Sequence, residues 1–304
     1  MNVIQRTNFP PAVLEAVLLG LAALSHNAAA CLTPDGADPA LYRDLAGTSG
    51  GRLVWISGTG PTGLSYRFSG TLIDRWNVLT AAHGVPAAGN GGTLDFIGTG
   101  PNRFSDQGTV VSIVKWTRYP TYVSGFSKPD LAIINLAQPI TIDPAPFAPV
   151  STGEVVTAAG FGRYATPSTG LQAVDGASMG WRAPVLSYNT GGVSEDYFYA
   201  TNFAASNRVT VNGKGLSGDS GGPVWNAAGK LVGITVGQFS NLDPLGGTVA
   251  QRLDVPEVLT WIEANRARPL QTLTLAKSAE TMRLTWNADA TGYRLQTCSV
   301  STPW

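Results

Sequence analysis

Between Arg52 and Val236 the chain repeats one pattern, short apolar runs broken by clusters of Gly, Pro, Asn and Asp. Runs this short suit strands better than helices. Leu53–Ile56, Gly70–Ile73, Asn77–Thr80 and Thr109–Val114 read as strands, followed by Leu131–Leu136, Val155–Ala158, Val209–Val211 and Lys230–Val236. The 36 glycines and 20 prolines supply the turns that such a chain needs. Many short strands separated by turn signals predict an all-β sandwich or pair of barrels. One segment has a different period. Val255–Ala264 carries Pro256 near a first turn, an early acid in Glu257, and apolar Val258, Leu259, Trp261 and Ile262, which predicts a helix.

The ends of the chain read differently from its middle. Arg6 gives a positive start, Ala12–Leu24 is apolar apart from Glu15, and Ala28-Ala29-Ala30 offers small residues for cleavage. That pattern predicts an export signal over residues 1–30, and a secreted or periplasmic protein. An amphipathic N-terminal helix is the alternative that Glu15 and Pro10-Pro11 permit. The run is too short for a membrane span. Cys31 and Cys298 allow one disulfide or two free thiols. Cys31 also weakly resembles a lipoprotein acceptor, with Ala28 where leucine is usual. Residues 31–265 form the expected main domain. Beyond it, Arg266–Pro269 reads as a linker and Leu273–Trp304 as two or three further strands. Met282–Trp286 and Gly292–Gln296 resemble strands of fibronectin-type accessory modules of secreted bacterial proteins. Residues 266–304 are too few for a complete sandwich, so this part is a truncated module or packs on the main domain.

Twenty basic and twenty acidic residues cancel, which removes any charge argument for nucleic acid or an anionic membrane as partner. The chemistry lies in Gly218-Asp219-Ser220-Gly221-Gly222-Pro223. A serine hydroxyl needs a base beside it to act as a nucleophile. The chain has two histidines, and His26 falls in the expected export signal, which leaves His83. The orienting carboxylate is best sought at Asp130, just before the apolar run Leu131–Leu136; Asp74, Asp95 and Asp106 have no comparable context. Gly218–Gly222 also fits the Gly-x-Ser-x-Gly nucleophile elbow of the α/β-hydrolases. That fold needs its histidine after the serine, and none follows Ser220. Subtilisin order, with aspartate before histidine, finds no matching motif near Asp35, Asp38, Asp44 or Asp74. The order His83, Asp130, Ser220 remains.

In that order the chain resembles the chymotrypsin/trypsin-type serine proteases, family S1, in their bacterial secreted form. Gly70–His83 is similar to the strand leading into that family's catalytic histidine, and Asp130–Ile134 to the strand opened by its aspartate. Gly218–Pro223 is similar to its nucleophile signature, Gly160-Phe161-Gly162 to its Gly-Trp-Gly turn, and Leu259–Ile262 to its C-terminal helix. The resemblance covers roughly residues 40–265. It implies two six-stranded antiparallel β-barrels with a C-terminal helix, here followed by a short β-rich extension. It also implies an oxyanion hole from the backbone N–H groups of Gly218 and Ser220. Asp219 would support the loop by pairing with a freshly cut N-terminal ammonium. The pattern is broken in four places. No activation site precedes the first strand, so the partner of Asp219 is either an α-amino group between Cys31 and Asp44 or an internal Arg or Lys. Gly84 and Leu216 stand where the family has cysteines. Val236, next to Gly237 in the wall of the implied specificity pocket, replaces a serine that helps hold the aspartate. Lys214 stands where trypsins bind basic side chains with an aspartate, which disfavours trypsin-like cleavage unless Lys214 points to solvent.

The expected activity is hydrolysis of peptide bonds in proteins or peptides through an acyl-enzyme, with no cofactor and no metal. A catalytically inactive, protease-shaped binding protein is the alternative. An esterase on the same fold is chemically feasible, although no lipid-binding apolar loop stands out.

Overall fold

The computed structural model describes residues 31–123, 128–172, 176–187, 196–200, 213–238, 247–267, 274–277 and 282–285. The export signal, the Val209–Val211 and Gly292–Gln296 strands and Cys298 lie outside the described residues. The chain divides into two units, Met1–Arg266 and Ala267–Trp304.

In the first unit, six strands close one antiparallel barrel. They are β2 (Leu53–Thr59), β3 (Ser65–Asp74), β4 (Asn77–Thr80), β5 (Thr93–Gly98), β6 (Val110–Arg118) and β7 (Ala132–Leu136), in the order β2-β3-β4-β7-β6-β5. Val54, Ile56, Phe68, Leu72, Val78, Ile97 and Ile134 fill it. A second closed barrel follows from β8 (Val155–Gly160), β11 (Met179–Ser187), β12 (Tyr197–Ala200), β14 (Pro223–Trp225), β15 (Leu231–Gln238) and β16 (Thr248–Arg252). Its core holds Val156, Trp181, Phe198, Val224 and Val232. Closure leaves neither barrel with a free sheet edge. The fold is therefore the expected pair of six-stranded barrels.

Among the described residues, two α-helices serve the junctions. The first, α1 (Pro39–Gly47), starts where the Asp38 carboxylate accepts the Ala40 N–H at 2.9 Å and Pro39 opens the first turn. Its Tyr42 and Leu45 join the second core. The second, α2 (Pro256–Asn265), sits one residue along from the predicted helix. Val258 and Ile262 pack with Ile73, Leu79 and Ile133 of the first barrel and Ile234 of the second. Fully burying such side chains is worth about 1.5–3 kcal/mol each, so this helix fastens one barrel to the other.

A small sheet completes this unit. Strand β1 (Cys31–Leu32) runs between β9 (Tyr164–Thr166) and β13 (Lys214–Gly215), with β10 (Gly170–Leu171) outside β9. Cys31 and Leu32 are completely buried, and Cys31 is a free thiol. In the second unit β17 (Thr274–Lys277) pairs antiparallel with β18 (Met282–Thr285), from Thr274 opposite Thr285 to Lys277 opposite Met282.

Candidate active site

Barrel pairing explains how residues far apart in sequence meet. Thr80, at the end of β4, lies opposite Ala132, at the start of β7. The turn of 3₁₀-helix Ala82–Gly84 and the residues before β7 therefore emerge side by side. Here Asp130, only 3% exposed, holds His83 twice. One carboxylate oxygen accepts the His83 backbone N–H at 2.9 Å, and the other lies 2.6 Å from Nδ1. At the opposite edge of the ring, His83 Nε2 is 2.8 Å from Ser220 Oγ. His83, Asp130 and Ser220 thus form one hydrogen-bonded line, with its proton-bearing atoms in the order base catalysis requires.

The electrostatics of that line have definite signs. Burial among its neighbours disfavours the charged imidazole of His83. The Asp130 charge and the hydrogen bond that Asp130 accepts from the ring outweigh burial, and Arg118 opposes them weakly, so the ring is held above the ordinary histidine range. Its side chain is still 38% exposed, which keeps the Ser220 side of the ring open to an incoming group.

Ser220 stands in a loop that crosses back to the first barrel. Gly218 has φ +98°, in the left-handed region that favours glycine. Among the described residues neither the Gly218 nor the Ser220 N–H donates to a protein acceptor. Buried amide groups almost always find partners, so two such N–H groups, that of Ser220 itself and that of Gly218 two residues before it, are a place where an oxyanion fits. The described residues hold no group of three or more side chains able to bind a metal.

Asp219 is completely buried within this loop. Its carboxylate accepts the Gly162 N–H at 3.1 Å and the Leu216 N–H at 2.8 Å. Among the described residues it has no ion pair. Burial pushes it well above the ordinary carboxylate range, against the two amides and the positive charge of Arg103. A side chain at Gly160 would meet the Asp219 carboxylate at 2.1 Å, which explains the glycine before Phe161.

The remaining residues fall as follows. Val236 is 3% exposed and packs with Ala81, Tyr197, Tyr199 and Val249, so it brings no hydroxyl to Asp130. Gln251 of β16 supplies a hold instead: its side-chain oxygen accepts the Asp130 backbone N–H at 3.0 Å, and its amide donates to Asp196 O and Arg252 O. Gly237 follows a register shift in the β15–β16 pairing. Lys214 lies opposite Leu32 in the small sheet. At Gly84 there is no cysteine to bridge; the ring of Phe68 fills that place, 3.0 Å from where a Gly84 side chain would start. Gln251 and Phe68 escaped the reading of the sequence.

The trypsin-like peptidase domain model matches residues 68–234, a span that holds His83, Asp130 and Ser220. No curated protein matches the chain. Among solved structures, the inactivated protease paralogue S-I1 of the scabies mite is similar over 70% of this chain and 93% of its own. Its TM-score is 0.53 at 22% identity, a likeness of fold. The family match takes in more than half of the chain, which therefore belongs to the trypsin-like peptidase domain family.

Proposed function

We propose that the chain is an exported serine endopeptidase, with Ser220 as nucleophile, His83 as general base and Asp130 as the orienting carboxylate. The observation that carries this is the hydrogen-bonded line Asp130–His83–Ser220 beside the N–H groups of Gly218 and Ser220, which donate to no acceptor among the described residues. In the acylation step His83 Nε2 takes the Ser220 proton while Oγ attacks the substrate carbonyl carbon. Asp130 keeps the other ring proton on Nδ1 and stabilises the imidazolium that forms. The carbonyl oxygen gains negative charge and is received by the N–H groups of Gly218 and Ser220. One such donor is worth about 3–4 kcal/mol in the transition state. His83 then passes its proton to the leaving amine, and water repeats the sequence on the acyl-enzyme.

Removal of residues 1–30 belongs to the same proposal. Cys31 is the first residue of a buried strand, its backbone N–H donating to Arg163 O at 2.5 Å. Its thiol is pushed up by burial and, secondarily, by the negative charge of Asp219, so the two lie within electrostatic reach. A cut after Ala30 would place an α-ammonium on the residue whose thiol feels the charge of Asp219, a carboxylate that otherwise has no ion pair among the described residues. In the family such a pair organises the oxyanion loop.

The second reading is an inactive binding protein, favoured by the inactivated state of the scabies mite relative. Treatment of purified protein with a fluorophosphonate probe separates the two. Labelling of the wild type and not of Ser220→Ala is expected; no labelling of protein that starts at Cys31 would sink the enzyme reading.

A further inference from the structure

Ser69 lies on β3 of the first barrel, is completely buried, and makes four hydrogen bonds, three of them to the second barrel. Its backbone N–H donates to Ser220 O at 3.0 Å. Its hydroxyl donates to Gly218 O at 2.8 Å and accepts the Phe161 N–H at 2.8 Å. Its own carbonyl accepts the Thr80 hydroxyl at 2.8 Å, from the strand that leads to His83. Two residues on, and so on the same face of the strand, the Thr71 hydroxyl donates to Gly221 O at 2.9 Å. Buried hydroxyls are costly unless partnered, and both of these have partners in or beside the nucleophile loop.

We propose that Ser69 is the positioning residue of the oxyanion-binding amides, acting from the first barrel on the loop of the second. This rests on reading Ser220 as the nucleophile. The peptide unit joining Gly218 to Asp219 lies between the two units whose N–H groups are free. Holding its carbonyl fixes the orientation of one donor relative to the other. Gly218 needs such a restraint, because a glycine at φ +98° has no side chain to limit its backbone. The same hydroxyl fixes Phe161, whose carbonyl accepts from Arg103 at 2.9 Å and whose neighbour Gly162 donates to Asp219. Ser69 therefore ties together the two segments that enclose the Asp219 carboxylate.

The test compares wild type with Ser69→Ala and Ser69→Cys, the second close in volume and a poor hydrogen-bond donor. The substrate is p-nitrophenyl acetate, and amide hydrogen exchange is followed in parallel. Losing an oxyanion donor outright costs about 10²–10³ in kcat, so displacing both amides slightly is expected to cost about 10- to 100-fold in each variant. KM should stay within about twofold and the acid limb of the pH–rate profile should not move, because His83 and Asp130 are untouched. Exchange at the Phe161 N–H, a readout that needs no activity, should quicken about tenfold or more, with the first-barrel strands unchanged. Four results would overturn the proposal. They are kcat within about twofold of wild type in a folded variant, a loss matched by a displaced acid limb, unchanged Phe161 exchange, and failure of both variants to fold. An inert wild type whose variants still quicken Phe161 exchange would instead reject the enzyme reading and leave the coupling in place.

Discussion

The buried carboxylate of Asp219 makes the dependence of stability on pH a measurement of what Asp219 is paired with. While residue 30 is attached, the nitrogen of Cys31 is an amide, and burial holds Asp219 well above its ordinary range. The folded state then keeps a proton that the unfolded chain releases near pH 4. Between these two values the folded state binds more protons, so stability falls as pH rises, by at most about 1.4 kcal/mol per pH unit for one group. For a domain of this size that is roughly 3–5 °C in Tm per pH unit. An α-ammonium on Cys31 reverses the situation by favouring the carboxylate, and the slope should flatten. The assay is thermal melting from pH 4 to 8 of protein retaining Ala28-Ala29-Ala30 and of protein starting at Cys31. Both carry Ser220→Ala to prevent self-digestion. His83, also raised, adds a falling contribution of its own above about pH 6.5, and it is common to both forms. Asp219→Asn in the longer form removes the Asp219 part alone. Equal slopes in the long and short forms would refute the pairing, and an unchanged slope in Asp219→Asn would refute the assignment to Asp219.

Two further perturbations follow from the geometry. Asp130→Asn leaves a side chain of the same shape but loses the charge that raises His83. The acid limb of the pH–rate profile should move to lower pH while kcat falls about 10⁴-fold; an acid limb that stays in place would show that Asp130 does not set the base. Phe68→Ala empties the place beside Gly84 in a core position only 5% exposed, and should cost about 3–5 kcal/mol in urea unfolding; a loss under 1 kcal/mol would mean the ring does not brace the histidine turn.

Much of this arrangement is local in origin and some is not. Strand β4 is legible because Asn77–Thr80 is a short β-branched and apolar run between turn signals. His83, Asp130 and Ser220 each sit in a motif whose residue types announce a role. Strand β11 hides because Gly180 and Pro184 interrupt it, although both are tolerated where it pairs with β8. Helix α1 had a readable start in Asp38-Pro39, and its apolar face is Tyr42, Leu45 and Ala46. Ser69 and Gln251 have no local signature at all. A serine or glutamine in a strand is ordinary until its partner is known, and those partners lie 149 and 121 positions away.

Those distant partners describe how a site shared by two barrels stays assembled. The first barrel carries His83 and Asp130, the second Ser220 and the Gly218 amide, so relative movement of the barrels would break the His83–Ser220 contact on which the proposed chemistry depends. Apolar packing at α2 resists separation but, being non-directional, does not set a hydrogen-bond distance. Directional bonds do, and they run both ways. Ser69 and Thr71 of the first barrel hold carbonyls of the nucleophile loop, while Gln251 of the second holds the backbone of Asp130. Each barrel thus fixes the part of the site that the other contributes. The 2.8 Å approach of His83 to Ser220 is set by these crossed contacts, with no disulfide at Gly84 to help. A chain with the same three motifs but without the crossed polar contacts would keep the barrels and lose the alignment, which is one physical route to an inactive protease fold.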